Sequence, residues 1–155
     1  MTIQRIYHKK SITTKLIISV IVLLLIGFII WWVTNSIKEH HLQDDPMLLK
    51  LKEIMEPLHP DIKRLKLYKG KKSYTINKDK IYLCLKDEHG EYYPTNHLIY
   101  VLLHEFSHYI NKDDIGHTEK FHQIFEDLIE KAHNMGIYNA SIPPIENYCM
   151  HNPDE

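Results

Sequence analysis

The stretch TNHLIYVLLHEFSHYI, residues 95–110, decides how the chain folds. Its apolar residues recur three and four positions apart, which predicts an amphipathic helix with one buried face. The residues of that face are Leu98, Val101, Leu102, Phe106 and Tyr109. Thr95 is expected to cap the start of the helix. The following segment 111–116, NKDDIG, is rich in Asn, Asp and Gly and is expected to end it.

The same helix contains the pattern H-E-x-x-H, formed by His104, Glu105 and His108. Because positions i and i+4 lie on one face of a helix, the two imidazoles project together at the separation that one tetrahedral metal ion requires. Glu105 flanks this pair and is predicted to accept a proton from a water molecule. The pattern lies late in a strongly amphipathic helix that follows a strand, and this context favours a metal site over a chance match.

A catalytic zinc site needs a third protein ligand and an open fourth position. A second helix is predicted over 117–136, HTEKFHQIFEDLIEKAHNMG, and it ends in a glycine typical of helix termini. A reversal of the chain between the two helices would return His117 to the first pair, so His117 is the predicted third ligand. Glu126 and Glu130 are the alternatives, because another class of such enzymes uses a downstream helical glutamate. His122 is five positions after His117 and is expected to point away.

Three strands and one further helix are predicted before this unit. Apolar or aromatic residues at alternate positions predict the strands. These strands are 64–69, 73–77 and 81–87. The helix is predicted over 46–58, with Asp45 as N-cap and Pro46 in its first turn. The predicted fold class is α+β, in which a small three-stranded sheet packs on the H-E-x-x-H helix and the helix that follows it.

The N-terminal region differs from the rest of the chain in charge and hydropathy. The chain has 155 residues, with 19 Lys and Arg against 20 Asp and Glu. Residues 1–38 hold five of the basic residues and no acidic one. Residues 16–33, LIISVIVLLLIGFIIWWV, carry no charge. As a helix they cover roughly 27 Å, close to the ~30 Å hydrocarbon core of a bilayer, which predicts a transmembrane helix.

The predicted organisation is a basic tail (1–15), a transmembrane helix (16–33), a juxtamembrane linker (34–45) and a metallopeptidase domain (46–155). Basic residues precede the span, so the N-terminus is expected in the cytoplasm and the domain on the extracytoplasmic or lumenal side. A cleaved signal peptide is the alternative, against which the length of the apolar run argues. An exported domain would permit a disulfide between Cys84 and Cys149, although spacing alone does not decide whether they pair.

The segment HEFSHYINKDDIGHTEKFHQIFEDLIEKA, residues 104–132, resembles the core of the WLM and SprT-like zinc metallopeptidases. In that family H-E-x-x-H is followed, after a variable insert, by a histidine in a Gly-His-x-x-x-Phe context, here Gly116, His117 and Phe121. The resemblance implies a compact α+β zincin-like fold and peptide-bond hydrolysis with Glu105 as base. It also implies one zinc ion bound by His104, His108 and His117. The small, Ile-, Lys- and Tyr-rich format with a terminal anchor is similar to versions in large DNA viruses.

The predicted function is therefore that of a membrane-anchored zinc metalloendopeptidase acting on a protein or peptide substrate. Two alternatives stay open: a DNA-associated SprT/WLM-type protease that acts on DNA-bound proteins, and a non-catalytic, zinc-stabilised binding domain tethered to the membrane. Nucleic acid is not favoured as a partner, because a span that exports the domain separates it from DNA. The presence of Glu105 favours catalysis over the binding domain.

Hydrolysis also requires a hydrogen-bond donor for the anionic tetrahedral intermediate and a surface that holds the substrate. Tyr138, Tyr148 and His151 lie beyond the second helix and are the candidate donors. The strand segment 81–86 is the candidate edge along which an extended substrate would lie.

Overall fold

A computed structural model describes residues 2–149 of the chain, with the exception of the side chains of residues 2–14 and 38–42. The helices are α1 (Thr2–Gln43), α2 (Pro46–Met55), α3 (Thr95–Ile110) and α4 (Glu119–Asn134), with a short 3-10 helix at Pro60–Arg64. The strands are β1 (Lys66–Lys69), β2 (Tyr74–Ile76) and β3 (Lys80–Leu83). The predicted α+β class is confirmed for this part of the chain.

The chain divides into two units, Met1–His40 and His41–Glu155. In the first unit, the segment Lys15–Ile37 of α1 is 23 residues long and apolar enough to cross a membrane. Its side chains are exposed. A signal sequence can have the same length and composition. The helix α1 is longer than the predicted span and includes most of the predicted linker.

The sheet of the second unit has the strand order β1-β3-β2. β1 is parallel to β3, with Leu67 opposite Ile81, and β2 is antiparallel to β3, with Thr75 opposite Ile81. Asn77 and Lys78 form the tight turn between β2 and β3, and both have a φ of 51°. A type I′ turn needs positive φ at both central positions, and Asn is among the residues that tolerate it. β3 is therefore the central strand, and β2 lies at an edge.

The buried face of α3 packs against the sheet and against α2 and α4. This core consists of aliphatic residues and a few aromatic ones, as the helical periodicity predicts. Its fully buried members include Leu51, Met55, Leu58, Ile62, Ile81, Leu83, Leu98, Leu102 and Phe106. A disulfide joins Cys84, just after β3, to Cys149, 65 positions later, and so attaches the C-terminal segment to the end of the sheet.

Asp45 caps α2 as predicted, because its carboxylate accepts a hydrogen bond from the Met47 backbone N–H at 3.0 Å. The predicted cap of α3 is wrong: Pro94 occupies the N-cap position, and no side chain caps that end. The Thr95 hydroxyl instead accepts a hydrogen bond from Lys50 Nζ at 3.2 Å. Proline is compatible with this position because the extended backbone before a helix suits its fixed φ.

The predicted bounds differ at several other places, and the third strand ends at Leu83 rather than at residue 87. The first strand begins at Lys66 rather than at residue 64, because the preceding residues form a 3-10 helix that the alternation did not reveal. α2 ends at Met55, shortly before Pro57, and not at residue 58. α4 begins at Glu119 with Thr118 as its N-cap, so His117 precedes the helix. Gly136 follows the end of α4 with a φ of 69°, as predicted for the glycine there.

Candidate metal and catalytic site

His104, Glu105 and His108 lie on α3, at the edge of the hydrophobic core. The helix is held by the burial of Phe106 and Ser107, which are both fully inaccessible. The two histidines are partly buried on one face, as their spacing predicts. Glu105 is only 6% exposed, an unusual burial for a carboxylate that has no ion-pair partner among the described residues.

The loop between α3 and α4 carries His117 back toward this face. Gly116 supplies the left-handed conformation, with a φ of 85°, that the turn before His117 requires. The hairpin turn of the sheet holds the loop in place. Lys78 Nζ donates hydrogen bonds to the main-chain oxygens of Asn111 and Asp114, the latter at 2.6 Å. Lys112 Nζ donates in return to the main-chain oxygen of Lys78 at 2.7 Å.

The three histidines converge on one point. His117 Nε2 lies 3.0 Å from His104 Nε2 and 3.1 Å from His108 Nε2, and the three ligand atoms lie within 4.8 Å of one another. A ring nitrogen donates one hydrogen or offers one lone pair, so His117 Nε2 cannot form full hydrogen bonds in both directions. A cation at the common centre would accept all three lone pairs. Tetrahedral ligands at a Zn–N distance of about 2.05 Å are about 3.3 Å apart, so the donor set fits a metal ion of this size.

The electrostatics of the site keep two of these imidazoles neutral. Burial, followed by the neighbouring rings of His108, His117 and His122, lowers the pKa of His104 to about 4. Burial also lowers the pKa of His108, with smaller contributions from His117 and the Lys78 ammonium. Both rings are therefore unprotonated at neutral pH, which is the form that binds a metal ion.

The histidines open into a cleft of about 560 Å³, a size within the usual range of ligand sites. One wall is β2 and the turn after it, and the opposite wall is the loop that carries His117. The lining residues are Ser73, Tyr74, Thr75, Asn77, Lys78, His104, Glu105, His108, Asp114, Ile115, Gly116 and His117. The candidate ligands and the candidate base thus share one open depression.

Thr75 is the residue of β2 that contacts Glu105. Its Oγ1 lies 2.8 Å from Glu105 Oε2 and 2.9 Å from the main-chain oxygen of Glu105. Burial raises the pKa of the Glu105 carboxyl, and the hydrogen bond from Thr75 opposes that effect. A carboxylate beside a trio of imidazoles, with a raised pKa, has the character of a group that accepts and releases a proton.

The structure does not bring the candidate donors Tyr138 and Tyr148 into the cleft. Tyr138 is buried beside Tyr100 and lines a separate small cavity. The Tyr148 hydroxyl donates to the main-chain oxygen of Cys84 and therefore accepts from Ser73 Oγ, at 2.8 Å. Burial raises the pKa of Tyr148 to about 12. His151 lies outside the described residues.

The alternative third ligands lie apart from the histidine cluster. Glu126 and Glu130 are exposed on α4, and neither belongs to the group of ligand atoms that the described residues bring together. His122 is also exposed, with its ring centre 6.3 Å from that of His117. Among the described residues, His117 is the one that completes a set of three.

The structure contradicts the prediction that the strand segment 81–86 offers an edge to a substrate. β3 is the central strand and pairs with β1 on one side and β2 on the other. Its backbone groups over Lys80–Leu83 are therefore occupied. The edge that borders the cleft is β2, which pairs with β3 alone in the described part of the chain. Residues 2–149 contain the three predicted strands, but the order of these strands in the sheet could not be read from the sequence.

Two residues of the site carried no motif that could single them out. Thr75 occupies a polar position in SYTIN, where alternation with Tyr74 and Ile76 places it on the opposite face of the strand. Nothing local indicates that this face meets Glu105. Lys78 has the sequence context of an ordinary turn lysine, and only the folded chain shows that it holds the loop of His117.

Comparisons with known proteins find viral relatives. The chain is 46% identical over 88 residues to Uncharacterized protein 136R of Invertebrate iridescent virus 6. It is 39% identical over 98 residues to Uncharacterized protein 042R of Invertebrate iridescent virus 3. It is 34% identical over 111 residues to Uncharacterized protein R325 of Acanthamoeba polyphaga mimivirus. The expected likeness to viral proteins is confirmed by these matches.

These similarities are partial in both directions. They cover 55%, 61% and 66% of this chain, and 49%, 61% and 56% of the three relatives in the same order. The chain therefore spans about half to three fifths of the length of the curated relatives that it matches. No protein-family description matches the chain, and no solved structure matches it.

Proposed function

We propose that the chain is a membrane-anchored zinc metalloendopeptidase of the zincin-like type, similar to the WLM and SprT-like metallopeptidases. The observation that carries the proposal is the convergence of His104, His108 and His117 on one point beside a buried glutamate. Three imidazoles suit zinc among other transition metals. Catalytic zinc sites typically have three protein ligands and one open coordination position, whereas structural zinc sites have four protein ligands. The arrangement here has three candidate ligands and an open side.

The roles of the residues follow from this arrangement. Zinc held by the three imidazoles would polarise the scissile carbonyl and lower the pKa of water at the open position. The Glu105 carboxylate takes a proton from the attacking water, whose oxygen bonds to the carbonyl carbon. As the C–N bond breaks, the same carboxyl delivers that proton to the amine nitrogen, so Glu105 ends the reaction ionised as it began.

The free edge of β2 supports a peptide as the substrate. An extended chain can add to a sheet edge through main-chain hydrogen bonds, and this edge borders the cleft between Ser73 and Asn77. Ile115 stands on the opposite wall and is 93% exposed. The Ile115 side chain is therefore available to contact a side chain of the substrate.

The full-length chain, purified in detergent and loaded with zinc, allows a direct test. Digestion of a peptide library, followed by mass spectrometry, identifies cleaved bonds. The Glu105→Gln variant keeps the size and polarity of the side chain but not the proton acceptor. It should retain zinc and lose about 10²- to 10⁴-fold in rate. Glu126→Gln, an equivalent change on the exposed face of α4, is the matched control and should cleave like the parent.

The outcomes separate the three candidate functions. Equal cleavage by the Glu105→Gln variant and the parent would refute the mechanism. Zinc binding without cleavage by either would favour the membrane-tethered binding domain. Cleavage that requires added double-stranded DNA would favour the DNA-associated protease.

We infer further that the peptidase domain lies outside the cytosol, anchored by residues 16–33. The excess of basic residues before the span supports this orientation. The disulfide between Cys84 and Cys149 also supports it, since such bonds persist in oxidising compartments. Protease treatment of sealed vesicles should leave the domain intact and remove the N-terminal residues. Digestion of the domain from the cytosolic side would show that it has the opposite orientation.

A further inference from the structure

The side-chain hydrogen bonds from β2 to α3 in the described part of the chain come from Thr75. Tyr74 and Ile76 are 41% and 40% exposed, on the face of β2 that points away from α3. Strand alternation therefore turns Thr75, between them, toward the helix. Its hydroxyl reaches two oxygens of the same residue, Oε2 of Glu105 at 2.8 Å and the main-chain oxygen at 2.9 Å.

A threonine hydroxyl has one hydrogen to donate and can also accept. When the Glu105 carboxylate is ionised, Thr75 donates its hydrogen to Oε2. When the carboxyl is protonated, its O–H can donate a hydrogen bond to Thr75 Oγ1, and the threonine hydroxyl then donates its own hydrogen to the main-chain oxygen of Glu105. The two acceptor distances, which differ by only 0.1 Å, allow both arrangements without movement of the backbone.

We propose that Thr75 is a positioning residue, which holds the carboxyl of Glu105 in one orientation in both its ionised and its protonated form. The inference rests on the proposed peptidase function, in which Glu105 alternates between these two forms. Thr75 undergoes no covalent change: the proton passes from water to Glu105 and then to the leaving amine. The contribution of Thr75 is to prevent the carboxyl from rotating away between the two transfers.

The surroundings of Thr75 favour such a role. Its branched Cβ restricts χ1. At one end of β2, Ser73 Oγ accepts from the Cys84 N–H at 3.0 Å and donates to Tyr148. At the other end, the Asp79 N–H donates to the Ile76 oxygen at 3.0 Å and closes the hairpin turn. The short edge strand is thus held at both ends, and the hydroxyl is presented to Glu105 from a fixed backbone.

The test uses the zinc-loaded, full-length chain in detergent and a fluorogenic peptide built on a bond that the parent cleaves in the peptide library. Thr75→Val keeps the shape of the side chain without its hydroxyl. It should lower kcat about tenfold or more, because small errors in the orientation of a catalytic group are costly. KM should stay within about twofold and zinc content unchanged, because the strand backbone and the ligands are retained. Thr75→Ser, which restores the hydroxyl, should recover kcat to within about threefold.

Thr95→Val is the matched control: it makes the same change at the start of α3, where the hydroxyl contacts Lys50 and not Glu105, and it should leave kcat, KM and zinc content unchanged. A Thr75→Val variant with the kcat of the parent would overturn the proposal. So would parallel losses of kcat, zinc content and substrate binding, because those would indicate a merely structural role for Thr75.

A second measurement tests the contact without relying on activity. In the metal-free chain, Thr75→Val, Glu105→Ala and the double variant form a thermodynamic cycle by thermal unfolding. Thr75→Val should lower Tm more in the parent than in the Glu105→Ala background. Additive effects would refute the contact itself. Non-additive effects in a chain that cleaves no peptide would instead refute the proposed function, and the positioning role with it, while the contact would stand.

Discussion

The two sides of the cleft differ in how the fold holds them. The helix side, formed by His104, Glu105 and His108 of α3, rests on fully buried residues such as Phe106. The loop side, residues 111–118, is largely exposed and includes Ile115 at 93%. A helix places its own side chains by local geometry, whereas a polar loop needs contacts from elsewhere. The metal-binding set therefore joins two ligands placed by a helix to one placed by tertiary contacts.

The largest expected effect is on the stability of the helix side. Phe106→Ala should lower the free energy of unfolding by about 4 kcal/mol, because it leaves a cavity in the core. On the loop side, Ile115→Ala should change it by less than about 0.5 kcal/mol. Urea unfolding of the metal-free chain measures both. Comparable losses for the two variants would show that the loop is packed more firmly than its exposure indicates.

The next effect concerns metal affinity, for which the loss of one ligand from either side should have a similar effect. His108→Ala and His117→Ala should each weaken zinc binding by on the order of a hundredfold or more, since each removes one of three ligands. Competition with a chromophoric chelator provides the measurement. Glu126→Gln and Glu130→Gln are the controls and should bind zinc like the parent. If His117→Ala binds normally while one of these glutamate variants does not, the third ligand comes from α4.

A smaller effect should separate the two sides again. Lys78→Met removes the hydrogen bonds that the hairpin turn donates to the loop at Asn111 and Asp114. Zinc affinity should fall about tenfold. Without these hydrogen bonds the loop becomes ordered only when zinc binds, and the entropy cost of ordering it reduces the net free energy of binding. Lys71→Met, on the preceding turn, is the control for loss of a positive charge. Equal zinc affinities in the parent, Lys78→Met and Lys71→Met would mean that the loop is ordered without the hydrogen bonds of Lys78.

The smallest expected effect is on acid stability and concerns the first turn of α3. His97 is 6% exposed, its Nδ1 accepts from the Ile145 N–H, and burial lowers its pKa. The unfolded chain, with an ordinary histidine pKa near 6.5, then binds more protons than the native state, so stability falls as pH decreases below about 7. In the metal-free chain, His97→Asn should lose less stability between pH 7 and pH 5 than the parent. An identical pH dependence would contradict the neutral, buried state of His97.

Much of the helix side could be predicted from the sequence, because its information is local. The i, i+4 spacing of His104 and His108 predicts a shared face as soon as the segment is helical, and the apolar periodicity predicts the helix. The Asp45 cap of α2 and the glycine at the end of α4 were equally local and were predicted correctly. The cap of α3 was predicted wrongly, because the Thr95 hydroxyl accepts a hydrogen bond from Lys50 of α2, 45 positions earlier in the sequence.

The order of the strands was beyond the reach of local patterns. Alternation predicts that a segment is a strand but not which neighbours it pairs with. The segment expected to offer a free edge became the central strand, because β1 joins it in parallel and β2 in antiparallel pairing. The strand at the edge beside the cleft is β2, and Thr75 of this strand contacts Glu105.

The sequence by itself determined the apolar segment of α1, the α+β composition and the paired histidines of α3, since each depends on residues only a few positions apart. Tertiary structure decided that His117 approaches the other two histidines and that Lys78 binds the loop. It also decided that Cys84 pairs with Cys149 and that Thr75 contacts Glu105. Thr75 and Glu105 are 30 positions apart, and the two cysteines 65. Contacts at such separations depend on how whole elements pack, because only the burial of the shared core brings them together.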